Sequence, residues 1–280
     1  MKWQGRRRSA NIEDRRRAGP ARVGGVGIVG TIVVLLVGAY FGVDLTPLLQ
    51  DGGGIQSGNQ EITQADQDAA EFVAVTLADT EVVWSEIFRT QLGAEYRPPT
   101  LVLFKGATQS PCGGASGATG PFYCPADRKA YLDTDFFVTL SRRFGASGDF
   151  AAAYVVAHEI AHHVQNEVGI LGQANQARQR MSQADSNRVS VMIELQADCY
   201  SGIWARYAQD ALGTLESGDL KEAINAAKQI GDDTLQRSAG QRPMPHTFTH
   251  GTSEQRQRWF AKGYDSARMD DCDTFGAGAL

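Results

Sequence analysis

Within the Ala-rich stretch AAYVVAHEIAHHVQNEVG stand His158, Glu159 and His162, spaced as His-Glu-x-x-His. Residues four apart lie one above the other on a helix face, so both imidazoles can converge on one ion at about 2.0–2.1 Å. Glu159 follows His158 by about 100° of helix rotation, near enough to address a metal-bound water without ligating the metal. Tyr154, Val155, Val156 and Ile160 make this helix apolar, and two histidines buried in it are costly without partners. The chemistry indicated is hydrolysis assisted by one Zn2+, with Glu159 as general base.

A five-residue pattern also arises by accident, so a third ligand is required. Val191 to Trp204 reads VMIELQADCYSGIW, an apolar helical stretch interrupted by Glu194 and Asp198. These acids are also four apart and share a face. A carboxylate on the buried side of a helix needs a partner or a metal; zinc supplies one for Glu194, and Asp198 can accept the second ring N–H of a ligand histidine. The alternative is a solvated helix face, which the apolar neighbours argue against. His-Glu-x-x-His followed after 31 intervening residues by Glu-x-x-x-Asp is a sharper signal than either half.

The elements that must position these residues are mostly helices. Apolar residues recur at three to four residue spacing from Glu61 to Leu92, and helices are predicted at Phe136 to Phe144, Phe150 to Val168, Asp185 to Gln209 and Glu216 to Ile230. A last one runs from Ser253 to Ser266 behind Thr252 as N-cap. Arg97 to Lys105, Pro121 to Tyr123 and Lys129 to Leu132 are strand candidates, and the loop joining the first two suggests a small antiparallel sheet. The fold class expected is α+β.

The cysteines Cys112, Cys124, Cys199 and Cys272 are even in number, which suits two disulfides in an oxidising compartment. The Gly-rich loop PCGGASGATGPFYCP favours Cys112 with Cys124, leaving Cys199 for Cys272. A buried, reduced Cys199 stands beside that as the alternative. No C-x-x-C pair exists, which argues against a four-cysteine zinc site.

The chain has 280 residues, 42% hydrophobic and 21% charged, the make-up of a globular protein with a real core. Its net charge of −5 hides an asymmetry: residues 1–22 carry eight Lys/Arg against Glu13 and Asp14, or +6, and the remainder is −11. From Val23 to Val43 there are 21 residues without a charge, enough to span roughly 30 Å of hydrocarbon. A buried core helix and a cleaved signal peptide are the alternatives. The division expected is a basic cytoplasmic head (1–22), a transmembrane helix (23–43), a Gly/Gln/Ser-rich linker (44–60) and a metallopeptidase domain (61–280). The positive-inside rule then gives a single-pass protein with its N-terminus inside and its catalytic domain outside the cytoplasmic membrane. A nucleic-acid role for the head is disfavoured by the acidic body.

The metal pattern resembles the gluzincin arrangement of metallopeptidases. More closely, the opening MKWQGRRRSANIEDRRR, HEIAHHVQ, ELQADCYSGIW and FTHGTSEQRQRWF resemble the bacterial neutral zinc metallopeptidase family of membrane-anchored proteins. The resemblance covers nearly the whole chain and implies a zincin-like fold acting on peptide or protein substrates. It further implies that His158, His162 and Glu194 bind zinc, that Glu159 is the base and that Asp198 orients His158. The oxyanion needs a donor besides zinc. His250, just before a predicted helix, is preferred to His246, with a purely structural role for both as the alternative; His163 should point away from the metal. The competing function is a catalytically silent, membrane-tethered zinc scaffold, which predicts a site closed by four protein ligands.

Overall fold

Thr63 opens the first helix, α1 (Gln64–Ile87), with a reciprocal capping box to Asp66. The computed structural model describes residues 1–17, 62–116, 120–142, 145–278 and 280. The same Asp66 carboxylate meets Lys105 Nζ at 2.6 Å and accepts from Thr134 Oγ1 at 3.0 Å, so the cap also ties α1 to the sheet.

That sheet has four strands, β1 (Ile12–Asp14), β2 (Thr100–Phe104), β5 (Phe122–Cys124) and β6 (Lys129–Asp133), in the order β1-β2-β6-β5. The expected antiparallel sheet is corrected to a mixed one. β2 runs parallel to both β1 and β6, and only β5 is antiparallel to its neighbour. Parallel pairing needs a long crossover; here the chain between β2 and β6 supplies it, and includes a separate hairpin of β3 (Ala107–Ser110) and β4 (Gly113–Ser116). A disulfide from Cys112 to Cys124 fastens that hairpin to β5.

Five alanines between Ala151 and Ala161 favour helix, and α3 (Asp149–Glu167) runs through the core buried along nearly its whole length. It follows α2 (Phe136–Arg142) and is succeeded by α4 (Ile170–Arg178) and α5 (Gln183–Asp210), which Ser182 caps. Then come α6 (Asp219–Gln229), α7 (Asp232–Ser238) and α8 (Ser253–Ser266). Thr252 caps α8 as expected, in a second capping box with Gln255. The α5–α8 crossing is close enough to need glycine on both sides. A Cβ on Gly202 would overlap the Phe260 carbonyl, and one on Gly263 the Cys199 carbonyl. A second disulfide, Cys199 to Cys272, pins the chain beyond α8 back onto α5.

The head is part of this body. Arg6 Nη1 donates to Asp79 at 2.6 Å, Asn11 Nδ2 to Glu81 at 2.8 Å, and Arg16 Nη1 to the Asp66 carbonyl at 2.7 Å. The Met1 amino group lies between Asp149, Glu216 and Asp219, and Trp3 packs edge-on against Phe72. The expected single-pass topology is therefore overturned: a head across a bilayer from the body could make none of these contacts. Among the described residues no helix is long and apolar enough to cross a membrane. The span expected at 23–43 and the linker at 44–60 lie outside the described residues.

Candidate metal centre

On α3 and α5 the two four-residue spacings face each other. His158 Nε2 lies 3.0 Å from Glu194 Oε2, and His162 Nε2 lies 3.5 Å from Glu194 Oε1. One donor atom from each of the three residues falls within 4.8 Å of the others. Two imidazole nitrogens and a carboxylate oxygen, all buried or nearly so, are a zinc-type donor set. Their electrostatics also suit a cation. Burial alone would lower the His158 pKa, but Asp198 and Glu194 more than reverse it and raise it to about 10.

Both histidines have a polar neighbour on the side away from Glu194. His158 Nδ1 lies 3.0 Å from Asp198 Oδ1. Asp198 is fully buried and accepts from Tyr154 Oη at 2.5 Å and from Arg256 Nε and Nη2 at 2.8 and 3.0 Å. Burial raises the Asp198 pKa, but Arg256 and His158 hold it below the usual carboxylate range. His162 Nδ1 pairs with Gln165 Oε1 at 2.9 Å, and Gln165 Nε2 is fixed by the Ile193 carbonyl and Gln196 Oε1 at 2.8 and 3.0 Å.

The cluster opens on a cavity of about 470 Å³ that Glu159, His250, β5 and α4 also line. Burial raises the Glu159 pKa. His250 Nδ1 lies 3.1 Å from Asp232 Oδ1, while Asp232 Oδ2 accepts the backbone N–H groups of Thr249, His250 and Gly251 at 2.6–3.0 Å. Asp232 thus sets both the loop and the ring. Burial would lower the His250 pKa, but the bond to Asp232 raises it. His246 sits on a 3-10 turn (Pro245–Thr247) and is not among the cavity residues.

His163 points away from the cluster, as expected. Its Nε2 donates to the Arg97 carbonyl at 2.7 Å, so Nδ1, 3.0 Å from Tyr123 Oη, must accept from the tyrosine. The Tyr123 proton is thereby occupied, and the ring serves the cavity as a wall. Burial lowers the His163 pKa to about 4, which keeps it neutral and suited to this role.

The sequence-based reading did not assign roles to Arg256, Asp232 or Gln165. Gln165 carried a weak signal, three residues after His162 on the same helix. Arg256 and Asp232 carried none, since they reach the site only through the packing of α8 and α7.

The chain is 45% identical over 287 residues to "Uncharacterized protein YpfJ" of Escherichia coli (strain K12), which covers 99% of both proteins. It is 43% identical over 227 residues to "Uncharacterized protein Rv2575" of Mycobacterium tuberculosis, covering 76% of this chain and 74% of that protein. No solved structure matches the chain. A family model described as "Putative neutral zinc metallopeptidase" matches residues 1–275, and the chain belongs to that family.

Proposed function

We propose that this protein is a zinc-dependent peptidase of zincin-like architecture, in which His158, His162 and Glu194 hold the metal and Glu159 is the general base. The observation that carries this reading is the convergence of the three donors within 4.8 Å at a cavity that Glu159 also lines. Among the described residues no fourth protein donor joins the cluster. This supports an open coordination position and hence catalysis over the closed site of a scaffold.

When bound, zinc supplies a Lewis acid that makes water acidic near neutral pH and polarises a carbonyl. Glu159, its pKa raised by burial, takes the proton of the attacking water and delivers it to the leaving amine. His250, held by Asp232, donates to the oxygen that gains charge as the peptide carbonyl is attacked. Asp198, clamped by Arg256 and Tyr154, keeps the His158 ring directed at the metal. Strand β5, at the edge of the sheet and lining the cavity, offers backbone groups to an extended peptide.

The test is Glu159→Gln in the full chain, with zinc content and cleavage of a broad peptide library measured together. Undiminished zinc with cleavage reduced by at least about a thousandfold is expected. Cleavage at the wild-type rate would overturn the assignment of the base.

A further inference from the structure

The cavity contains two arginines whose situations differ. Arg256 is buried and committed to Asp198 through two N–H groups. Arg178, the last residue of α4, is held only by neutral acceptors: Nη1 donates to Ser190 Oγ and Nη2 to Asn175 Oδ1, each at 2.6 Å. Among the described residues no carboxylate lies within ion-pair distance of it. A guanidinium has five N–H donors in a rigid fork, so these two bonds fix its plane and leave further donors and the whole positive charge unmatched.

Its distance from the chemistry is set by the helix that it touches. Ser190 precedes Glu194 by one turn on α5, so the side chain that anchors the guanidinium leaves the helix about 6 Å from the side chain of the third donor. An extended peptide advances about 3.5 Å per residue. An anion held by Arg178, in the same cavity as the donors, would therefore belong to a substrate residue within a few positions of the scissile bond. Planar, fixed and uncompensated, the fork matches a carboxylate better than any neutral group.

Resting on the peptidase reading for the identity of its ligand, we propose that Arg178 is a carboxylate-binding subsite, and that the preferred substrates carry a carboxylate there, either a peptide C-terminus or an Asp/Glu side chain. The probe is a series of linear α,ω-dicarboxylates from succinate to suberate. Each is titrated calorimetrically into the zinc-loaded full-length protein beside the monocarboxylate of equal length. A carboxylate can bind zinc in either ligand, so only the second one reports on Arg178. At the best-fitting length the dicarboxylate should bind about tenfold more tightly than its partner, and Arg178→Met should abolish that ratio. Equal binding at every length in the wild type, or a ratio that survives Arg178→Met, overturns the proposal.

The two sources are separated by cleaving three peptide libraries: untreated, C-terminally amidated, and methyl-esterified at Asp and Glu with the C-terminus restored. Loss of the preferred sites on amidation identifies the C-terminus, and loss on esterification the side chain. Preferred sites that survive both treatments overturn the proposal. Absence of all cleavage alongside an Arg178-dependent dicarboxylate ratio would sink the peptidase reading and leave the subsite standing.

Discussion

At the residue scale the site depends on pairs of buried charges that stabilise one another only while complete. Asp198 serves His158, Tyr154 and Arg256 at once. Substituting Asp198→Asn should weaken zinc binding by about 10–100-fold with the fold retained, read by competition with a chelator. Arg256→Met leaves that carboxylate buried without its guanidinium and should cost about 3 kcal/mol of stability in denaturant unfolding. Arg256→Lys should recover only part of this, because a single ammonium cannot reproduce the two-point contact with Asp198. Gln165→Leu should lower zinc affinity about tenfold, because the His162 ring loses the acceptor that fixes its orientation.

At the scale of elements, two contacts decide how the site-bearing helices meet. Gly263→Ala puts a methyl group into the Cys199 carbonyl, so α8 must move off α5 and carry Arg256 with it. A loss of about 3 kcal/mol or more is expected in unfolding, accompanied by weaker zinc binding. The junction of α1 with the sheet has its own pH dependence. Burial raises the Asp66 pKa, but Lys105, Thr63 and Thr134 together hold it well below the usual carboxylate range. A carboxylate with a depressed folded-state pKa contributes stability that is fully present above its unfolded value near 4 and lost as pH falls below it. The wild type should therefore lose stability steeply from about pH 4 downward. Asp66→Asn should flatten that limb while costing about 3 kcal/mol at neutral pH, measured by denaturant midpoints across the range.

At the scale of the whole molecule, the head supplies an edge strand and a set of ion pairs to the body. Arg6 with Asp79 and Arg7 with Glu81 join the head to α1, and β1 pairs in register with β2 from Ile12 against Leu101. Removing residues 1–17 uncovers Phe72 and the edge of β2. A fall in melting temperature of roughly 10 °C is expected from the lost apolar burial alone, checked by thermal denaturation of the two proteins. An unchanged melting temperature would show that the head contributes nothing to the folded body.

What the sequence determined by itself was local. Histidines and acids four apart share a helix face whatever surrounds them, so His158, Glu159, His162, Glu194 and Asp198 were legible from spacing and apolar context. The same holds for the helix over 253–266, whose Thr252 cap is a contact between near neighbours, and for the pairing of Cys112 with Cys124 across a short loop. The sheet was not legible. Three residues of β1 have no hydrophobic pattern, and their place beside β2 comes from contacts made far along the chain. The parallel pairing of β2 with β6 likewise depends on a crossover, which the alternation of strand residues does not encode. Arg256, Asp232 and the location of the basic head were decided by tertiary structure alone. A charged residue reads the same in sequence whether it faces water or a buried carboxylate, and only packing tells which.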